Sequence, residues 1–331
     1  MLAYVLTRYR HPMELREVPT PAAGPGEVLI RVRAAGLNPA DYKTRDGVVR
    51  LFWRYKLPAV GGNELAGVVE AAGAGVTRFA AGDRVFARVD HAKMGAFAEY
   101  AVVEESLVGR MPESLDFAEA AGLPLAGLTA LQGLRDELKL TAGDRVLITG
   151  GAGGVGTLAI QLAVWLGAAV AATASSQGEK LVRSLGAETV IDYQKQKFKD
   201  VLSDYDGAFD LVGGSDLRDC FDVLKPGAKT VTIAGVPEPT TARVDLGLGP
   251  LWGAAAWVIS ARIRGRARRR GVGYRWMLMH PDGHDLDLLA GLVDEGRLVP
   301  VTDKVFPFEQ IADAFAYIER GRAKGKVVVR L

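Results

Sequence analysis

The chain has 331 residues, 49% hydrophobic and 24% charged, with 41 basic against 39 acidic side chains and a formal net charge of +2. That is globular composition, enough for about two domains that each bury a core. A single cysteine, Cys220, excludes a disulfide scaffold and a four-cysteine zinc site, and a net charge of +2 argues against nucleic-acid binding as the main task. Residues 1–10 carry two arginines before any long apolar run, so no cleavable signal is read there and a cytoplasmic location is expected. Two uncharged stretches, 146–178 and 246–261, are interrupted by glycines, and the second is short of the ~20 residues of a membrane span.

Up to about residue 120, Gly, Pro or Asp recurs every few residues, with short strands expected at 28–32, 67–70, 83–87 and 97–103. From Leu123 strands alternate with helices. Strands are predicted at 146–149, 168–173, 189–192, 209–212, 229–233 and 274–279, with helices at 155–166, 179–185 and 216–224 between them. Six strands with crossover helices suit a doubly wound parallel sheet. The tail reads as helices at 286–295 and 308–319 and a strand at 326–331 that returns to the N-terminal β region.

Gly151, Gly153, Gly154, Val155 and Gly156 lie in a G-x-G-x-x-G run directly after a strand and before an apolar helix. There the glycines let backbone approach a pyrophosphate that rests on the helix N-terminus. The next strand ends Ala174-Ser175-Ser176 without the acid that a ribose 2′-hydroxyl needs. Ser175, Ser176 and Lys180 are donors suited to a 2′-phosphate, which favours NADP(H) over NAD(H). Capping of the following helix by the two serines, and a solvated Lys180, remain the alternative.

These features resemble the medium-chain dehydrogenase/reductases, in particular their zinc-independent, quinone oxidoreductase-like (zeta-crystallin-like) branch. The resemblance runs through Asn38 to Gly47 (NPADYKTRDG), Gly62 to Val69 (GNELAGVV), Ala81 to Val85, Gly127 to Leu131, the glycine run, Leu185 to Ala187, Ile191 to Tyr193 and Gly321 to Val329. It implies an α/β chain with a GroES-like β-rich catalytic domain (1–121, completed by 282–331) and a Rossmann cofactor domain (122–281). Where zinc-dependent members carry Cys and His, this chain has Asn38 and Asn63, poor zinc ligands. His11, His91, His280 and His284 show no ligand spacing, so no metal is expected.

The chemistry implied is reduction of a quinone or an α,β-unsaturated carbonyl compound by NADPH, with a donor to the substrate oxygen. Tyr42 and Lys43 are the candidate donors, Asn38 and Asp41 their neighbours in the segment; strand-end packing is the alternative for Asp41 and Tyr42. By the same resemblance Thr129 contacts the nicotinamide, Tyr193 the adenosine phosphate, and Gly213 and Ala234 the cofactor through backbone atoms. The resemblance also implies a homodimer.

Residues 251–270 join an apolar half containing Trp252 and Trp257 to Arg262, Arg264, Arg266, Arg268, Arg269 and Arg270. Three readings stand: cleft or subunit packing with solvated arginines, which is preferred; peripheral membrane contact; or phosphate binding to RNA. Two rival functions follow from the segment. One is a trans-2-enoyl thioester reductase with the arginines on a CoA phosphate; the other is a non-catalytic NADPH-binding adaptor.

Overall fold

The computed structural model describes residues 1–51, 54–90 and 92–331, so His91 lies outside the described residues. In chain order the elements are β1 (Leu2–Leu6), β2 (Glu14–Glu17), β3 (Glu27–Leu37), α1 (Pro39–Arg45), β4 (Ala59–Val60), β5 (Glu64–Ala72), β6 (Arg84–Arg88), β7 (Tyr100–Glu104), β8 (Val108–Arg110), α2 (Phe117–Ala121) and α3 (Pro124–Leu131). Then follow β9 (Arg145–Ile148), α4 (Gly154–Trp165), β10 (Ala169–Ala174), α5 (Glu179–Ser184), β11 (Thr189–Asp192), β12 (Tyr205–Asp210), α6 (Gly214–Cys220), β13 (Leu224–Thr232), α7 (Pro250–Ile259), α8 (Ala261–Arg269) and β14 (Gly273–Trp276). The tail adds α9 (Gly283–Asp294), β15 (Thr302–Pro307), α10 (Ile311–Glu319) and β16 (Lys326–Arg330). Two compact units result, Met1–Leu128 with Pro281–Leu331, and Thr129–His280.

In the first unit a sheet runs β15-β16-β3-β5-β6-β8, with β7 also on β3. β3 alternates strictly at first, so Val28, Ile30 and Val32 face the core and the intervening residues do not. Each such side chain contributes roughly 1.5–3 kcal/mol by leaving water. β16 pairs antiparallel with β3, Val327 opposite Leu37 and Val329 opposite Ala35, so the expected return of the tail is observed. β5 crosses β3 so closely that a Cβ on Gly67 would stand 2.2 Å from the Arg31 carbonyl oxygen, which only glycine tolerates.

The second unit is the expected six-stranded parallel sheet, ordered β11-β10-β9-β12-β13-β14. Its inner strands read Val146-Leu147-Ile148 and Val170-Ala171-Ala172 because helices cover both faces. β12 starts earlier and stops earlier than the sequence suggests. Tyr205-Asp206-Gly207 looks like a turn, but parallel pairing with β9 and β13 recruits it, and Asp210 ends the strand by accepting the Gly213 N–H at 3.0 Å. The helix expected over 216–224 stops at Cys220, and Leu224 already belongs to β13, whose pairing slips register around Pro226 and Gly227.

Candidate active site

In the first unit β3 runs into α1 at Asn38, which holds the N-cap position in extended backbone (φ −138°, ψ 155°), with Pro39 starting the helix. The segment is therefore a helix start, where strand-end packing was the sequence alternative. Asp41 Oδ2 accepts the Asn38 backbone N–H at 2.7 Å, and its Oδ1 accepts Asn63 Nδ2 at 2.6 Å. The Asn38 side chain turns inward. Its Nδ2 donates to Glu64 Oε1 at 2.7 Å, and its Oδ1 accepts from Lys326 Nζ.

Lys326 Nζ also donates to Glu64 Oε1 at 2.7 Å and to the Leu37 carbonyl at 3.2 Å, so its three protons are all used. The second Glu64 oxygen accepts the Leu125 N–H at 2.7 Å, in the first turn of α3, where a helix favours negative charge. All these polar side chains are buried, Glu64 completely. Burial pushes the Asp41 carboxyl up to about 6, against the pull of the two donors from Asn63 and Asn38. Arg88, buried beside them, donates to the Asn63 carbonyl at 3.4 Å; burial lowers its affinity for a proton, and Asp41 and Glu64 oppose that.

Tyr42 and Lys43 are consecutive on α1, so they cannot share a face. Tyr42 is half-buried against the sheet core; burial, then the charges of Glu319 and Asp46, hold its hydroxyl above the usual range. Lys43 is exposed. The sequence reading picked out Asn38 and Asp41 but missed Glu64, Lys326 and Arg88. One signal was present: a lone charge at the end of an apolar strand, as in Glu64-Leu65-Ala66 or Lys326-Val327-Val328.

In the second unit the glycine run forms the turn from β9 to α4. Gly150, just ahead of it, takes the left-handed conformation (φ +66°), and its N–H donates to Thr173 Oγ1 at 2.9 Å. Gly153 is the N-cap of the twelve-residue α4. A Cβ on Gly156 would lie 2.3 Å from the Gly150 carbonyl oxygen, so this glycine lets the helix pack on to the turn. Gly154 and Val155 stand in the first turn of α4.

Asp210 fastens the neighbouring loops. It is fully buried and accepts Thr149 Oγ1 at 2.8 Å, Thr232 Oγ1 at 2.7 Å and the Gly213 N–H. Thr149 Oγ1 in turn accepts the Leu211 N–H at 2.9 Å, and Thr232 Oγ1 the Ala234 N–H at 3.0 Å. Gly213, at φ +81°, would place a Cβ 2.3 Å from the Ala234 carbonyl oxygen. The loops carrying Gly213 and Ala234 are thereby brought together at the carboxyl ends of β12 and β13, where ligands bind in such sheets. Thr129 is buried on α3.

At the end of β10 one alternative falls away and one expectation changes. The N-cap of α5 is Gly178, and the Ser175 and Ser176 side chains do not cap it; Ser176 Oγ donates to Asp192 instead. That end is also not free of acid, because β11 lies in register with β10 and sets Asp192 opposite Ala174. The carboxylate is engaged: the Ser176 hydroxyl, the Gln194 N–H at 3.0 Å and Lys195 Nζ at 3.1 Å surround it, and the Ser176 hydrogen bond leads in holding it below the usual carboxylate range. Lys180 and Tyr193 are exposed nearby in sequence.

Comparison with known proteins places the chain. Residues 24–113 match the alcohol dehydrogenase GroES-like domain, and residues 185–329 the zinc-binding dehydrogenase family. The NADPH-dependent alkenal/one oxidoreductase of Arabidopsis thaliana chloroplasts is 39% identical over 92% of this chain and 72% of its own length. The mitochondrial NAD(P)H oxidoreductase RTN4IP1 of Danio rerio is 36% identical over 93% of this chain and 84% of its own. The quinone oxidoreductase of Coxiella burnetii superposes with a TM-score of 0.87 at 30% identity, covering 100% of this chain and 99% of the other. The chain belongs to the medium-chain dehydrogenase/reductase family, in its quinone oxidoreductase type.

Zinc does not fit the Asn38 and Asn63 positions. Both side chains turn amide nitrogens, which are donors, toward carboxylates, and an ammonium already lies between Asn38 and Glu64. Among the described residues no group of three or more His, Cys, Asp or Glu could hold a metal ion. Cys220, the last residue of α6, is buried, and burial pushes its thiol well up.

Proposed function

We propose that the protein reduces quinones or α,β-unsaturated carbonyl compounds with NADPH and without a metal ion. The observation that carries this reading is an intact dinucleotide turn in a chain whose zinc-ligand positions are filled by donating amides and an ammonium. When bound, the dihydronicotinamide supplies the hydride; a conjugated acceptor is electrophilic enough to take it without a Lewis acid. The backbone from Gly151 to Gly156 and the N-terminus of α4 hold the pyrophosphate. Gly213, Ala234 and Thr129 border the rest of the dinucleotide.

Ser175, Lys180 and Tyr193 receive the 2′-phosphate, while the Ser176 hydroxyl is given to Asp192. Asp192 is compatible with it, since three donors including Lys195 surround its carboxylate. Of the two candidate donors, Lys43 is the better one: Tyr42 spends its ring on the core, while the exposed Lys43 ammonium donates to a developing enolate oxygen. Asn38 and Asp41 position α1 and do not donate the proton.

The test follows NADPH oxidation with a benzoquinone, a naphthoquinone, an enone, an enal and crotonyl-CoA, with NADH in parallel. The expected result is NADPH-preferring turnover of quinone or enone, kcat reduced in Lys43→Met and retained in Tyr42→Phe, and NADPH preference weakened in Lys180→Met. Crotonyl-CoA as the best acceptor would identify an enoyl thioester reductase, and silence across the panel despite NADPH binding would identify an adaptor.

A further inference from the structure

α7 is an exposed helix without a polar side chain. From Pro250 to Ile259 the sequence is PLWGAAAWVI, and only Gly253 and Ala256 are buried, with Ser260 just beyond. These three fall on one narrow stripe of the helix, so the rest of its circumference faces outward. Leu251 is 86% exposed, Val258 66%, Ile259 63% and Trp257 57%. Soluble surfaces seldom leave so contiguous an apolar face uncovered. Within its own unit no described residue covers it.

The helix turns into α8 through a fixed corner. Ser260 Oγ donates to the Ala256 carbonyl at 2.6 Å, and Arg264 donates to Ser260 Oγ at 2.9 Å and to the Trp257 carbonyl at 2.8 Å. Its guanidinium also lies 5.2 Å from the Trp257 ring centre. Arg266 and Arg270 pair with Asp222. Arg262, Arg268 and Arg269 are exposed, and none has a carboxylate within ion-pair distance among the described residues. Beside α8 a shallow cavity of about 390 Å³ is lined by Arg264, Arg268 and Tyr274.

We propose that α7 and α8 dock the protein on the surface of an anionic lipid bilayer. α7 enters the boundary between headgroups and acyl chains, its tryptophans at headgroup level, and the arginines of α8 pair with lipid phosphates. No helix among the described residues is long and apolar enough to cross a membrane, so the contact is peripheral. Charge decides between occupants. A second copy seated symmetrically on α7 would bring two arginine helices together, and RNA would leave Leu251, Val258 and Ile259 unmatched. A bilayer with negative headgroups satisfies both halves of the module.

The experiment is flotation of the full chain with phosphatidylcholine vesicles, with and without phosphatidylglycerol, monitoring tryptophan emission. Binding that requires phosphatidylglycerol, falls with added salt and shifts the emission to the blue is expected. Neutralising Arg262, Arg268 and Arg269 to Gln should weaken partitioning roughly 100-fold. The double variant Leu251→Asp, Val258→Asp should lose both binding and the blue shift. All variants should keep the wild-type far-ultraviolet dichroism and Tm, since each altered side chain is solvent-facing. The proposal is overturned by three results: no binding to anionic vesicles at low salt, binding unchanged in both variants, or a solution oligomer that the aspartates dissociate in a protein that ignores vesicles. Tight binding of polyuridylate without vesicle binding would assign the arginines to RNA and overturn it equally.

Discussion

The two candidate sites bury charge in opposite ways, although the second unit elsewhere also holds an ion-paired cluster, Arg275 with Glu137, Glu238 and Asp245. In the first, Asp41 and Glu64 are set against Lys326 and Arg88, with the amides of Asn38 and Asn63 threaded between them. In the second, beside the glycine turn, the carboxylate of Asp210 is held by threonine hydroxyls and backbone N–H groups. An ionic cluster depends on every partner, because removing one leaves a charge uncompensated at low dielectric. A carboxylate solvated by neutral dipoles loses strength donor by donor, and each donor also fixes a loop. The first arrangement specifies where α1 joins the sheet, and the second lines up the loops that receive the dinucleotide.

That contrast can be broken by mutation. Lys326→Met should have the largest effect, about 4 kcal/mol of stability in urea unfolding, because Glu64 is left buried without its cation. Adding Glu64→Gln should return most of it, whereas a double variant as unstable as the single would show that packing, not charge, is at stake. Next comes Asp41. Its carboxyl is raised from 3.8 to about 6, so the folded state holds the proton more tightly than the unfolded chain. The stability that this proton linkage contributes is fully present below about pH 4 and is lost as pH rises through 6, roughly 3 kcal/mol in all.

Asp41→Asn should therefore flatten the decline between pH 4 and 6. Both Asp41 oxygens accept donors, so the new amide is accommodated only if Asn63 turns over to present its oxygen. Unfolding curves for the two proteins that stay parallel through this window would contradict the assignment. The smallest effect in stability, about 2 kcal/mol, is expected of Asp210→Ala. Here the sharper readout is ligand affinity: freeing Gly213 and Ala234 should raise the NADPH Kd roughly tenfold.

What the sequence made legible follows the same division. The dinucleotide unit advertises itself through local rules: Gly156 must be small, α4 must begin where β9 ends, and both constraints fall within a few residues. The cluster in the first unit joins residues 38, 41, 63, 64 and 326, brought together by the return of β16 to β3. Nothing local to Lys326 says which carboxylate it meets. Asp192 was hidden for the same reason, since its approach to Ser176 depends on parallel register between β10 and β11. Ser176, read from the sequence as a 2′-phosphate donor with capping of α5 as the alternative, spends its hydroxyl on that acid.

The proposed reaction is hydride transfer without a metal ion. Its most direct test is the rate of NADPH oxidation by a quinone or enone in protein dialysed against a chelator, with zinc content measured on the same sample. Full turnover at substoichiometric zinc is the expected result. Activity that disappears on chelation and returns with added zinc would contradict the account, and with it the role assigned to Asn38, Asn63 and Lys326.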